Sequence, residues 1–209
     1  AEASGGLSVG ESLRVIQRGS ADLCFCGGAE SKLNPMAFLR QQFTGRLNTT
    51  TNDDPTRAVR PFDRQAAGTA IGDGGGIVIL EALETFERRT TLGSDGPEAY
   101  AEVIGFGASQ TVNRQCRNLE PAPGGRSIAA AIRAALGEAR IEPEAIDLIV
   151  PLGSGVPSWD QAEASAMRDV FGPRLSQIAI TSVKALVGNC GAGAGGLDLC
   201  IAAKALAEQ

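Results

Sequence analysis

Short apolar runs alternate with amphipathic segments of helical period along this chain, and the alternation limits the class of fold. Apolar runs predict buried strands at 21–26, 77–80, 146–150 and 178–180, and an alternating run predicts another at 99–106. Apolar residues three or four positions apart predict helices over 7–16, 35–42, 83–89, 127–137, 157–171 and 197–206. Gly27 and Gly28 predict a turn after the first strand, and residues 46–75 form the longest irregular stretch. Strands that alternate with helices predict an α/β fold with a layered sheet.

The chain of 209 residues contains no histidine, which excludes several kinds of catalytic site. A Ser-His-Asp triad, a Cys-His dyad and a His-ligated metal centre each require that residue. The net charge of −5 and the 4% aromatic content disfavour a nucleic-acid partner. An odd cysteine count of five, no secretory signal and no apolar run of about 18 residues predict a cytoplasmic protein with reduced thiols and no membrane span. We expect neither a cofactor nor a metal.

Two glycine- or cysteine-rich patterns have both a functional and a structural interpretation. Cys24 and Cys26 point the same way on a strand and suggest a metal or redox pair, but buried free cysteines of the core are the favoured interpretation. Residues 191–196, GAGAGG, fit the G-x-G-x-x-G string of dinucleotide sites. They do not follow a strand directly, so close packing at a helix entry is favoured.

Four further residues are candidates for chemistry. Cys190 precedes a helix, where a thiol can gain thiolate character, although packing is the favoured role. Lys184 is either an ordinary charged residue or an electrostatic support for a carboxylate or oxyanion. Asp160 and Glu163 lie three apart on one helix face. Either they are a pair for acid–base catalysis, or their negative charges stabilise the start of the helix through its dipole.

Taken in order, five segments resemble the β-ketoacyl synthases, the condensing enzymes of fatty-acid and polyketide synthesis. They are CGGAES at 26–31, RPFD at 60–63, AIGDGGGIVILEALE at 70–84, IEPEAIDLI at 141–149 and TSVKALVGN at 181–189. The resemblance covers nearly the whole chain and about half of a full family member. It implies a thiolase-like α-β-α-β-α architecture, with mixed sheets between helices, that is incomplete in this chain. Residues 1–108 would hold the end of the N-terminal half, and residues 109–209 most of the C-terminal half.

The resemblance also places the three reactive positions of the family. Its nucleophilic cysteine aligns with Ala3, its first histidine with Leu152 and its second histidine with Asn189. Alanine cannot carry an acyl group, leucine cannot exchange a proton, and asparagine only donates or accepts hydrogen bonds. Lys184 and Glu163 are retained as supporting residues.

This pattern is similar to the chain-length-factor subunits of type II polyketide synthases, which lack the nucleophile and pair with an active ketosynthase. Residues 2–7 resemble their E-Q-A-G-G-L, with Ala3 in place of glutamine, and residues 155–164 resemble their G-V-P-x-x-D-x-x-E-A. The resemblance implies a silent partner subunit, either a homodimer or a heterodimer, that works with acyl carrier protein and acyl or malonyl thioesters. An acyltransferase that uses Cys190 and a non-catalytic scaffold are the alternatives.

Overall fold

The computed structural model describes residues 2–93, 96, 98–111, 121 and 123–208, and these divide into two compact units. Seven helices and four strands lie in the described part of the chain. In order they are α1 (Ser4–Gln17), β1 (Leu23–Glu30), α2 (Pro35–Phe43), β2 (Gly74–Glu81), α3 (Leu83–Thr91), α4 (Arg126–Ala139), β3 (Leu148–Ile149), α5 (Pro157–Phe171), β4 (Ala179–Ile180), α6 (Lys184–Val187) and α7 (Ala194–Ala207). The mixture of helices and strands confirms the predicted α/β class.

The first unit comprises residues 1–30, 74–103 and 192–209. Its sheet is the antiparallel pair of β1 and β2, in which Phe25 lies opposite Ile79 and Gly28 opposite Gly76. Helices α1 and α7 contact this pair. A Cβ atom on Gly5 of α1 would lie only 2.6 Å from the backbone nitrogen of Gly196, so the two helices meet backbone to backbone.

The second unit comprises residues 31–73 and 104–191 and holds the larger apolar core. Strands β3 and β4 are parallel, with Leu148 beside Ala179, as an α/β arrangement with α5 between the strands requires. Met167 and Phe171 on one face of α5 pack with Ile178, because residues four apart share a helix face. Partly buried residues complete this cluster: Ile132, Ile146, Ile149, Ala164, Val170 and Leu175.

Two sequence predictions are wrong. The turn at Gly27 and Gly28 is absent, since β1 continues to Glu30 and both glycines pair with β2. The alternating run at 99–106 forms no strand, because no described strand lies beside it. Gly105 instead packs on α4, with the Ala139 nitrogen 2.9 Å from where its Cβ would be.

Other elements lie where the sequence places them, with different bounds. Helix α7 begins three residues before the predicted start at Leu197, and β3 is shorter than the predicted 146–150. The long irregular stretch contains one short 3₁₀ turn, Pro55–Arg57. None of the helices among the described residues has the length and apolar character to cross a bilayer.

Candidate functional site

Leu152, which the resemblance aligns with the family's first histidine, lies in a loop that joins β3 to α5. Pro157 begins α5, so the loop ends there, and the helix carries Glu163 back toward it. The Glu163 carboxylate accepts the backbone N–H groups of Leu152, at 2.7 Å, and of Gly153, at 2.9 Å. Two charge-assisted bonds therefore fix the backbone of the loop at this residue.

Asp160, one turn earlier on α5, holds the rest of this loop. The side chain is 4% exposed, and the carboxylate accepts the Ser154 hydroxyl and the Gly155 N–H, each at 3.1 Å. A third bond, of 2.8 Å, comes from the backbone N–H of Phe62. Burial raises the pKa of the Asp160 carboxyl, and these hydrogen bonds act in the opposite direction.

Glu163 and Lys184 form the electrostatic centre of the site. Burial is the main cause that raises the pKa of Glu163, its backbone hydrogen bonds and the charge of Lys184 lower it, and the charge of Asp160 raises it. Lys184 is the first residue of α6 and is only 1% exposed. A buried ammonium group needs a negative charge nearby, and Glu163 supplies one.

Asn189, which the resemblance aligns with the family's second histidine, follows α6 and is 8% exposed. Its side-chain oxygen accepts the N–H of Gly191 at 2.8 Å, which fixes the orientation of the amide. Its backbone donates to Ala70 at 2.8 Å and accepts from Gly72 at 3.1 Å. Hydrogen bonds thus hold both the backbone and the side chain of Asn189. Its amide cannot exchange a proton near neutral pH.

Ala3, which the resemblance aligns with the family's nucleophilic cysteine, directly precedes helix α1. Its carbonyl accepts the N–H of Leu7 at 2.9 Å, and its exposed methyl group offers no reactive atom. Ala3 belongs to the first unit, whereas Leu152, Glu163, Lys184 and Asn189 belong to the second. The last four thus lie in the same unit, and Glu163 connects Leu152 with Lys184.

Cys190 is 1% exposed, and its sulfur lies 3.8 Å from the carbonyl oxygen of Gly188. A thiol enclosed in this way behaves as a small core residue. No group of three or more cysteine, aspartate or glutamate residues suited to a metal exists in the part of the chain that the structure describes. Cys116 lies outside the described residues.

The glycine run that resembles a dinucleotide motif has a packing role. Gly196 lies against the backbones of Gly76 and Gly28, and Gly193 lies against Gly74 and Gly75. These glycines let the start of α7 contact the backbones of β1 and β2. A residue with a side chain would not fit at these positions, which accounts for the glycines.

One contact of the site has no signal in the sequence. The bond from Phe62 to Asp160 joins residues 98 positions apart, although both belong to recognised motifs. Only the folded backbone brings RPFD beside the acidic start of α5.

Two family models match this chain. Residues 1–85 match the family model "Beta-ketoacyl synthase, N-terminal domain", and residues 100–209 match "Beta-ketoacyl synthase, C-terminal domain". The chain is 31% identical over 207 residues to "3-oxoacyl-[acyl-carrier-protein] synthase 2" of Staphylococcus aureus, covering 99% of this chain and 49% of the relative. It is 32% identical to the protein of the same name from Synechocystis, covering 99% and 47%. The chain thus spans about half the length of the curated relatives it matches.

Solved structures show the same fold. "The ishigamide ketosynthase/chain length factor" superposes with a TM-score of 0.79 at 33% identity, covering 97% of this chain and 45% of the other. A type II polyketide synthase structure described as an acyl-carrier protein in complex with its ketosynthase superposes with a TM-score of 0.89 at 27% identity, covering 100% and 49%. The predicted thiolase-like architecture is confirmed by these neighbours, and the chain belongs to the β-ketoacyl synthase family.

Proposed function

We propose that this chain is a catalytically silent condensing-enzyme subunit that acts in fatty-acid or polyketide synthesis beside an active ketosynthase. One observation carries the proposal. The three positions that perform the family's chemistry hold Ala3, Leu152 and Asn189, none of which can carry an acyl group or transfer a proton.

The retained support of the site favours a working role for the scaffold. Glu163 still bonds to the loop that carries Leu152, and buried Lys184 still contributes its charge to Glu163. The buried Lys184, the buried Asp160 carboxylate and the partly buried Glu163 carboxylate are costly to keep unless they hold something in place. Their presence beside an apolar Leu152 supports a site that positions a ligand and leaves the chemistry to a partner.

The structural neighbours favour particular partners. One neighbour is described as a ketosynthase with a chain length factor, and another as an acyl-carrier protein bound to its ketosynthase. By analogy, we propose that this chain pairs with an active ketosynthase and contacts acyl chains that are carried on acyl carrier protein. Pairing with a second copy of itself is the competing assembly.

The alternative of an acyltransferase that uses Cys190 has less support. A nucleophile must reach its thioester, and Cys190 is 1% exposed with its sulfur against backbone carbonyls. An active Cys190 therefore requires an opening of this region on every turnover.

The first test incubates the purified chain with hexanoyl- and malonyl-loaded acyl carrier protein, then records intact mass and release of carbon dioxide. We expect no covalent adduct and no carbon dioxide, whereas an active ketosynthase run in parallel gives both. The Cys190→Ala variant is the matched control. An adduct on the wild type that is lost in this variant would establish the acyltransferase instead.

The second test measures partnership. The chain is added to an active ketosynthase with loaded carrier, and product lengths are compared by mass spectrometry, with heat-denatured chain as the control. We expect a complex by size-exclusion chromatography and a shifted product distribution. An unchanged distribution without a complex would leave only the scaffold interpretation.

A further inference from the structure

Phe62 has an unusual backbone conformation for an aromatic residue. Its φ angle is +59°, and among the described residues other than glycine only Arg140 shares a positive value. This region of φ is unfavourable for side chains with a Cβ atom, and bulky residues there are outliers. Phe62 belongs to the turn Arg60–Asp63, called here the 60–63 turn, so this turn is strained.

One buried bond holds the strained residue from the inside. The Phe62 N–H donates to Oδ2 of Asp160 at 2.8 Å, and Asp160 is 4% exposed. On the outer side, the Arg60 guanidinium pairs with the Asp63 carboxylate at 2.7 Å, where both side chains reach solvent. Ion pairs at the surface contribute little to stability, so the buried Asp160 carboxylate restrains the turn more strongly.

The same carboxylate also holds the loop of the candidate site. It accepts the Gly155 N–H at 3.1 Å, and Glu163 on the next turn of α5 holds the Leu152 N–H at 2.7 Å. Asp160 therefore connects the 60–63 turn with the loop at the first histidine position.

The turn and the loop are also in direct contact. A Cβ atom on Gly153 would lie 3.2 Å from Cβ of Pro61. One on Gly155 would lie 3.2 Å from Cγ1 of Val59 and 3.3 Å from the nitrogen of Arg60. Both glycines have positive φ, so the loop follows a path that leaves room for the turn.

We propose that the strained 60–63 turn forms one wall of a binding site beside Leu152. Asp160 is the positioning residue that holds the turn in place. The ligand is an acyl thioester of pantetheine, which rests on the proposed function. Without the bond to Asp160, Phe62 relaxes to a negative φ and the turn leaves the backbone of Gly153 and Gly155. The surface beside Leu152 then no longer has the shape that the acyl group meets.

The test measures binding of hexanoyl-pantetheine amide, a non-hydrolysable probe, by titration calorimetry. Asp160→Asn keeps the shape of the side chain but presents an amide where the carboxylate accepted several donors. We expect binding about tenfold weaker, the size of effect that follows the loss of a charge-assisted bond. Adding Phe62→Gly to this variant should restore most of the affinity, because glycine keeps φ at +59° without strain.

The matched control is Phe62→Ala in the same Asp160→Asn background. Alanine removes the ring as glycine does, but it retains the unfavourable φ, so we expect no recovery of affinity. Equal affinities of the glycine and alanine double variants would overturn the proposal. A merely structural role for Asp160 predicts that equality.

A second measurement applies if Asp160→Asn does not fold. In the wild-type background, Phe62→Gly should melt higher than Phe62→Ala by roughly 2–4 °C, the shift expected when positive-φ strain is relieved in a chain of this size. Equal melting temperatures would overturn the inference. A wild-type chain that binds no hexanoyl-pantetheine amide would overturn it too. The product-length assay tests the proposed function independently of this result.

Discussion

The carboxylate of Glu163 lies 2.7 Å from the backbone nitrogen of Leu152. An acid thus orients the loop, which carries a leucine at the position that the resemblance aligns with the family's first histidine. The restraint acts on the backbone and does not depend on which side chain the loop carries. The loop would therefore keep its path whichever side chain stands at position 152.

Ala3→Cys should create a thiol more reactive than an ordinary exposed cysteine. The new side chain would lie at the N-terminus of the 14-residue helix α1, where the helix dipole favours the thiolate. We expect alkylation by iodoacetamide at pH 7 roughly five- to tenfold faster than at the other end of the same helix. Peptide mass spectrometry measures the rate at the introduced residue alone.

Gln17→Cys is the matched control for that experiment, because Gln17 is an exposed residue of the last turn of α1. There the dipole disfavours the thiolate. Equal alkylation rates at the two ends would show that position 3 lacks the electrostatic environment of a helix-start nucleophile.

Glu163→Gln should change how stability depends on pH. Because burial raises the pKa of Glu163 in the folded protein, that state binds a proton more readily than the unfolded chain. Its contribution to stability is present below the ordinary pKa of 4.5 and is lost as pH rises through the folded value. Melting temperatures measured from pH 4 upward should therefore fall less steeply in the Glu163→Gln variant than in the wild type. A steeper fall in the variant would contradict the raised pKa.

Much of the helical framework could be predicted from the sequence. Helix α5 runs from Pro157 to Phe171 as predicted, since proline suits the first turn and Gly172 ends the helix. The alternating run at 99–106 shows the limit of such reasoning, because alternation describes two faces but a strand also needs a partner. The division of the chain at residue 108 stays a prediction.

The candidate site was accessible from the sequence only through resemblance. Leu152, Asn189 and Ala3 are ordinary residues, and their meaning comes from the motifs in which they lie. The bond between Phe62 and Asp160 is different in kind. It depends on a positive φ and on a contact over 98 positions, and local patterns contain neither.

Asp73→Asn should lower the stability of the protein by weakening the hydrogen bonds that hold the segment before α2. The Asp73 carboxylate accepts the backbone N–H groups of Lys32 and Leu33 and the Ser31 hydroxyl, and these bonds lower its pKa. The resulting stability is present above the ordinary pKa of 3.8 and is lost as pH falls through the lower folded value. We expect Asp73→Asn to melt below the wild type at pH 7, with a difference that shrinks in acid. A difference that grows in acid would exclude this role.

Gly196→Ala should destabilise the first unit through a clash of backbones. The new methyl group would overlap the carbonyl oxygen of Gly76 and lie 2.9 Å from the nitrogen of Gly28. Both neighbours are backbone atoms of paired strands, so neither can rotate away, and α7 must shift. We expect a loss of about 1–3 kcal/mol in the free energy of unfolding, despite the better helix propensity of alanine. Urea unfolding followed by circular dichroism measures it.

Gly6→Ala is the control, since Gly6 also lies within a helix of the first unit but has no atom within 4 Å of the position of a Cβ. There alanine meets open space and should stabilise α1 by up to about 1 kcal/mol. The two variants are thus expected to move the urea midpoint in opposite directions. A stabilising effect at both positions would mean that α7 does not approach the strands as closely as its glycines allow.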